Sequence, residues 1–396
     1  MVTVAEAVWD RWRELESQFG EPAIVLLFAS DLTNEDALLA LHQAARSAVR
    51  SLEQDARLQA GGEERRTGNW ALASVPEGVA VRIDEEPDSF EELVGRIVQR
   101  LDAQGVDGRL DLFEPAEAVV LPERIDLLEC RLRVNGTRYH IRYRNYGWRP
   151  DWKALSDTVD VGLAWCLASA AQLPLSLTVG LISSVTLSLD DDVVSLVREG
   201  LDQTRDLGVV SLTSASPDRF RTLAACPSLG RVSFIEGGNL QEGGWFRSLH
   251  TLRNLMIRAS ERLVYGFIKR GEDRVAAELG TSQIQDWPRI PHFNAWDVGA
   301  EAFEDEFVPD AFGVQMLGPG HAGRLPVGPN WRARHTSEDK VVLEYVDPAS
   351  WFEAPLASGA PFRFPAPPTA PIPDLLLRAR ADFRELLFNR DIPTNG

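Results

Sequence analysis

In the pattern of apolar and polar positions, the clearest architectural signal lies between residues 22 and 115. An apolar run, Ala23–Ala29, predicts a buried strand, and the acidic start Thr33–Asn34–Glu35 opens a helical stripe. That stripe is Ala37, Leu38, Leu41, Ala44, Ala45, Ala48 and Leu52, spaced at three and four residues as one face of a helix requires. A polar, Gly-rich loop (Ala60 to Gly68) precedes two predicted strands, Trp70–Val75 and Val79–Ile83, joined through Pro76–Glu77–Gly78. A second helix opens at Ser89 with Glu92 three residues on, a reciprocal capping pair, and carries Leu93, Ile97, Val98 and Leu101. A last strand fits Arg109–Phe113. The order β-α-β-β-α-β matches the ferredoxin-like arrangement, preceded by an amphipathic helix within Met1–Gly20 (Val4, Ala7, Val8, Trp12, Leu15).

Beyond it, Asn135–Gly136 predicts a tight hairpin turn between Ile125–Val134 and Thr137–Asn145. In that register Arg131 and Arg133 share a face with Arg138, Arg142 and Arg144, and Glu129 stands opposite Arg142. Trp152–Ala171 reads as a helix, Leu175–Leu189 as one long alternating strand, and Asp191–Arg205 as a helix. Strands at Val209–Leu212 and Arg231–Ile235 flank a predicted helix at Pro217–Ala225, and Trp245–Lys269 reads as one long helix. Lys340–Val346 is a strand. Six prolines between Pro361 and Pro373 make an extended tether that delivers a terminal helix, Asp374–Phe388. The expected class is α+β in two domains. Residues 1–120 form the ferredoxin-like unit with its N-terminal helix, and residues 121–396 form a larger mixed α/β region with the antiparallel hairpin.

Composition narrows the function. Lys and Arg number 41 against 59 Asp and Glu, a formal charge of −18 that favours a basic protein partner and opposes nucleic acid. The start of the chain lacks a signal-peptide pattern, and the uncharged stretch Val161–Leu189 is split by Gln172 and Pro174, so neither secretion nor a membrane span is expected. Cys130, Cys166 and Cys226 are odd in number and each sits in an apolar run, which suits free buried thiols in a reducing cytoplasm.

Two surfaces are candidate contact sites. Trp296, Glu301, Phe303, Glu304, Asp305, Glu306 and Phe307 interleave aromatic anchors with acids, the composition of a binding hot spot for a basic partner. The same aromatics equally suit the protein's own core. The arginine face (Arg131, Arg133, Arg138, Arg142, Arg144) suits an anion or an acidic partner, or else the protein's own acids. No catalytic constellation, cofactor motif or metal-ligand spacing is present. His292, Asp297, His321 and His335, with Glu301 or Glu304, are the only grouping on which a metal-dependent enzyme reading rests, and their spacing matches no ligand motif.

The run Phe312–Gly313–Val314–Gln315–Met316–Leu317–Gly318–Pro319–Gly320–His321 is followed by Arg324–Leu325, a strand and turn at Val341–Pro348, and a closing helix. This order resembles the end of bacterial immunity proteins of polymorphic and type VI secretion toxin systems, where an aromatic–Gly pair and a Leu–Gly–Pro–x–His turn precede a strand and a terminal helix. The resemblance covers about a fifth of the chain, with Phe312 in place of the usual Trp. It implies a non-catalytic cytoplasmic protein that neutralises a cognate toxin by occlusion. A structural or adaptor subunit of a larger bacterial assembly stays open as the alternative.

Overall fold

The computed structural model describes residues 1–16, 23–59, 70–84, 87–113, 124–141, 145–170, 174–180, 185–187, 192–205, 208–216, 219–238, 244–273, 303–325, 328–337, 339–352 and 374–388. The fold is α+β. Its first elements are β1 (Val2–Val4), α1 (Glu6–Glu16), β2 (Ala23–Ser30), α2 (Asn34–Gln59), β3 (Trp70–Val75), β4 (Gly78–Asp84), α3 (Pro87–Ala103) and β5 (Gly108–Leu112). Next come β6 (Arg124–Val134), β7 (Gly136–Ile141), β8 (Asn145–Pro150), α4 (Trp152–Ala170), β9 (Leu175–Val179), β10 (Val185–Leu187) and α5 (Val193–Gln203). The remainder is β11 (Val210–Ser216), β12 (Arg219–Cys226), β13 (Arg231–Gly238), α6 (Gly244–Ala259), β14 (Leu263–Asp273), β15 (Val314–Leu317), β16 (Trp331–Ser337), β17 (Lys340–Tyr345), α7 (Ala349–Phe352) and α8 (Asp374–Asp382).

The chain forms two compact units, Met1–Ala118 with Ser176–Thr204, and Val119–Leu175 with Arg205–Gly396. In the first, the sheet runs β1-β5-β2-β4-β3, antiparallel except for β1 beside β5. Its core joins the inward residues of β2 and β4 to the α2 stripe and to Phe90, Leu93, Val94, Ile97 and Leu101 of α3. Of the stripe read from the sequence, only Leu38 stays partly exposed. Trp12 of α1 stacks on Phe90 with centroids 3.8 Å apart. The N-terminal helix starts at Glu6 rather than earlier, because Val2–Val4 pairs with Gly108–Leu110 as a strand. The second helix starts at Pro87, whose fixed φ suits a first turn, so Ser89 sits inside it and Glu92 pairs instead with Arg96.

The sheet of the second unit runs β11-β12-β13-β6-β14-β15-β17-β16, all neighbours antiparallel. Helices α4 and α6 pack on one face, over Leu212, Leu223, Phe234, Cys130 and Ile268, which lie side by side across five strands. Gly162 permits the close approach of α4, since a Cβ there would stand 2.6 Å from both Leu223 and Phe234. At the β14–β17 end the other face is covered by Val308, Phe312 and the Leu376, Ala379, Phe383, Leu386, Leu387 side of the C-terminal segment.

Four sequence expectations beyond residue 120 are corrected. Strands β6 and β7 do not form a hairpin. The N–H of Asn135 donates to Arg262 O (2.7 Å) and its C=O accepts from Asp151 N (2.7 Å), which turns the chain out of the sheet. Strand β6 is then flanked by β13 and β14, and the antiparallel ribbon is β7–β8. The predicted helix at Pro217–Ala225 is instead β12, whose period-two pattern is satisfied by pairing with β11 and β13. The helix read as Trp245–Lys269 ends at Ala259, and Leu-Val-Tyr-Gly-Phe-Ile continues as β14, a β-branched and aromatic run that favours strand. The long strand at Leu175–Leu189 is broken after Val179 by Gly180 at φ +61°. The Pro361–Pro373 tether lies outside the described residues. No helix among the described residues is long and apolar enough to cross a membrane.

Candidate functional site

The two candidate surfaces meet each other. Residues Phe303–Glu306 form a turn, closed by Glu306 N–H and Phe307 N–H donating to Phe303 O at 3.0 and 2.8 Å. That turn aims its acids at β6 and β7. Arg133 Nε donates to Glu304 Oε2 at 2.6 Å, with the two side chains 2% and 13% exposed. Arg138 reaches Asp305 Oδ2 at 3.2 Å and also bonds Glu306. The Arg138 guanidinium lies 4.6 Å from the Phe303 ring centre and that of Arg324 4.7 Å from Phe307, while both rings contact Phe388.

The electrostatics follow the geometry. Burial pushes the Asp305 carboxyl above the usual carboxylate range, against the pull of Arg138. Burial acts to lower Arg138, but its bond to Glu306 and the charges of Asp305 and Glu306 outweigh it and leave the guanidinium raised. Glu304, Asp305, Glu306 and both phenylalanines are therefore half-buried and fasten the C-terminal segment to the sheet. Trp296, Glu301, Arg142 and Arg144 lie outside the described residues.

Arg131 lies two residues before Arg133 on β6, in the same face and also buried. Its Nε donates to Glu129 Oε1 at 2.7 Å, Ser233 Oγ donates to the same oxygen at 3.1 Å, and Lys269 Nζ lies 3.8 Å from Oε2. Glu129 is fully buried, and its cross-strand neighbours are Ile235 and Lys269 rather than Arg142. Two hydrogen-bond donors and a nearby ammonium make a carboxylate at that depth tolerable.

The segment resembling immunity proteins has its polar groups turned inward. Its Leu–Gly–Pro run ends β15, and a short helical turn places His321, fully buried, where Nδ1 accepts from Gly318 N–H at 3.1 Å. Burial lowers the His321 pKa to about 4 despite its bonds to backbone carbonyls, so the ring is neutral at physiological pH. A Cβ on Gly318 would stand 2.6 Å from Val264 O, which explains the glycine there. His335 is exposed on β16, and His292 and Asp297 lie outside the described residues. Among the described residues no three His, Cys, Asp or Glu side chains cluster as metal ligands do.

Sequence reasoning missed Asp310 and Arg380, the most buried ion pair of this region. Arg380 Nε and Nη2 donate to Asp310 Oδ1 and Oδ2 at 2.7 and 2.6 Å, with both side chains at 1% exposure or less. The one available sign was an arginine on the apolar side of a leucine-rich helix.

No protein-family model matches the chain, and no curated protein sequence matches it. Among solved structures, it is similar to the Pseudomonas aeruginosa T6SS protein PA0821, with a TM-score of 0.38 and 11% identity over 66% of this chain and 77% of that one. A likeness of that size supports no functional argument.

Proposed function

We propose that this chain is a non-catalytic, cytoplasmic bacterial binding protein that occludes a basic protein partner, in the manner of a toxin immunity protein. The observation that carries the reading is the charge of −18 together with where the arginines go. The Arg133–Glu304, Arg138–Asp305/Glu306 and Arg380–Asp310 set uses three arginines against four acids, so nearly all of the acidic excess lies outside it. A surface of one sign speeds encounter with the opposite sign and sets its orientation. The inward use of His321, Asp310 and Arg380 agrees with a segment that acts as scaffold.

The first unit reads best as ferredoxin-like. Its strand order β5-β2-β4-β3, all antiparallel, supports this, with α2 and α3 packed against each other. Such a fold hosts many activities and adds nothing to the functional case.

The test is affinity purification of the tagged chain from its host at two salt concentrations, with quantitative mass spectrometry. One near-stoichiometric basic protein, lost as salt rises, is the expected result. The absence of any basic partner, or binding of that partner indifferent to salt, overturns the reading. Several subunits in fixed ratio would assign the chain to an assembly instead.

A further inference from the structure

The sheet of the second unit ends in β16, which pairs with β17 on one side and has no strand beyond it among the described residues. Its middle residues, Arg332, Ala333, Arg334 and His335, are all exposed, although they alternate between the two faces. A strand exposed on both faces at a sheet edge presents unpaired backbone groups to solvent.

The register says which groups those are. Val346 N–H donates to Asn330 O at 2.9 Å, so Arg332–Glu344 and Arg334–Val342 are the next hydrogen-bonded pairs. The N–H and C=O of the intervening residues, Ala333 and His335, then point out of the open edge. Neither Arg332 nor Arg334 forms an ion pair among the described residues. Glu344, across from Arg332, has its carboxylate held in two bonds by Arg253, at 3.0 and 2.8 Å. The nearby Lys340 ammonium is occupied by the carbonyls of Ser260 and Glu261 at 2.8 and 2.7 Å. Two uncommitted guanidinium groups thus flank open backbone groups on a chain of charge −18.

We propose that β16 is a docking edge for an extended acidic segment of another protein, which adds to the sheet as a further antiparallel strand. Backbone bonds would run to Ala333 and His335. Acids two residues apart in the incoming strand would stand opposite Arg332 and Arg334, at the short cross-strand spacing where opposite charges attract. The residue between them would face Ala333 and should be apolar. A second copy of this chain does not fit the edge, because antiparallel pairing of two β16 strands sets arginines and His335 against one another. The edge is basic and distinct from the acidic excess invoked above, so either reading can fail without the other.

The test uses the full-length chain and two synthetic peptides, one alternating Glu and Val and the other alternating Lys and Val. Binding is followed by calorimetry at low salt, and the β16 amides by hydrogen exchange. The Glu/Val peptide is expected to bind and to slow exchange at Ala333 and His335, while the Lys/Val peptide does neither. Arg332→Glu/Arg334→Glu, both on the exposed edge, should weaken the acidic peptide by about tenfold or more and reverse the preference. Ala333→Pro keeps the charges but removes one donor, and should abolish the exchange protection. If Ala333→Pro does not fold, the charge reversal decides. Equal binding of both peptides, no change in exchange, or an unreversed preference overturns the proposal. In those cases the arginines serve only to keep the edge from pairing.

Discussion

Replacing Arg380 by Met removes the cation from a carboxylate that has nowhere to go. Asp310 is 1% exposed, and the remaining bond to it is from the N–H of Ala311 at 2.8 Å. Breaking a buried pair from one side costs about 3–5 kcal/mol, because the surviving charge stays desolvated. With a urea m-value near ~3 kcal/mol/M the midpoint for the second unit should fall by about 1–1.7 M. The measurement is urea unfolding followed by far-UV circular dichroism and tryptophan fluorescence, since Trp331 bonds Asp382 at 2.9 Å on the same helix. A Met stem retains most of the apolar packing, so the loss reports charge rather than volume. The sign with pH is also fixed. Burial already raises the Asp310 pKa against the pull of Arg380, and losing Arg380 raises it further. The folded state then binds a proton more tightly than the unfolded state, so stability contributed at this site grows as pH falls. The Arg380→Met defect should therefore be largest near neutral pH and shrink towards the carboxylate range. Asp310→Asn combined with Arg380→Met should recover at least ~2 kcal/mol relative to the sum of the single changes. A single-variant cost below ~1 kcal/mol, or strict additivity, would refute the assignment of Arg380 as the partner that makes Asp310 tolerable.

His321→Asn keeps an acceptor for Gly318 N–H but removes the titrating ring. Because the folded pKa is about 4 and the unfolded value 6.5, the wild-type loses stability as pH falls through that window, and the variant's profile should be flatter there. An unchanged slope would place the ring in water. Glu304→Gln removes the carboxylate charge bonded by Arg133 Nε and should cost about 2 kcal/mol by urea unfolding, before any partner is added; a neutral result would mean the turn at Phe303–Glu306 is held by its other contacts instead.

The elements that could be read from the chain are those whose partners are close in sequence. Strand β2, helix α2, strands β3 and β4 and helix α3 each carry their own period, and turns of a few residues tie the two strands together. Strand β12 carried a usable alternation too, but Thr213, Thr222 and Ile235 become one row only when β11 and β13 flank it. The Asn135–Gly136 signal was real as a change of direction and misleading as a hairpin, because what holds Asn135 is Arg262 O, 127 positions on, a bond invisible to local pattern. For the same reason the arginines and the acid–aromatic turn were found separately as two surfaces. Their meeting depends on contacts such as Arg133–Glu304, with a sequence separation of 171.

The placement of β6 sets the order in which the chain can be made. This strand is synthesised by residue 134, yet its two flanking strands arrive with residues 231–238 and 263–273. Throughout that interval the ribosome displays a strand with both edges bare, and the loops that close must span about a hundred residues or more. The first unit faces a similar delay, because its second segment, Ser176–Thr204, emerges only after β6, β7, β8 and α4. Neither unit is able to finish while the polypeptide is still short. The first unit can close once residue 204 has emerged and the β13–β6–β14 centre once residue 273 has, so a chain released before then leaves the central strand open to aggregation.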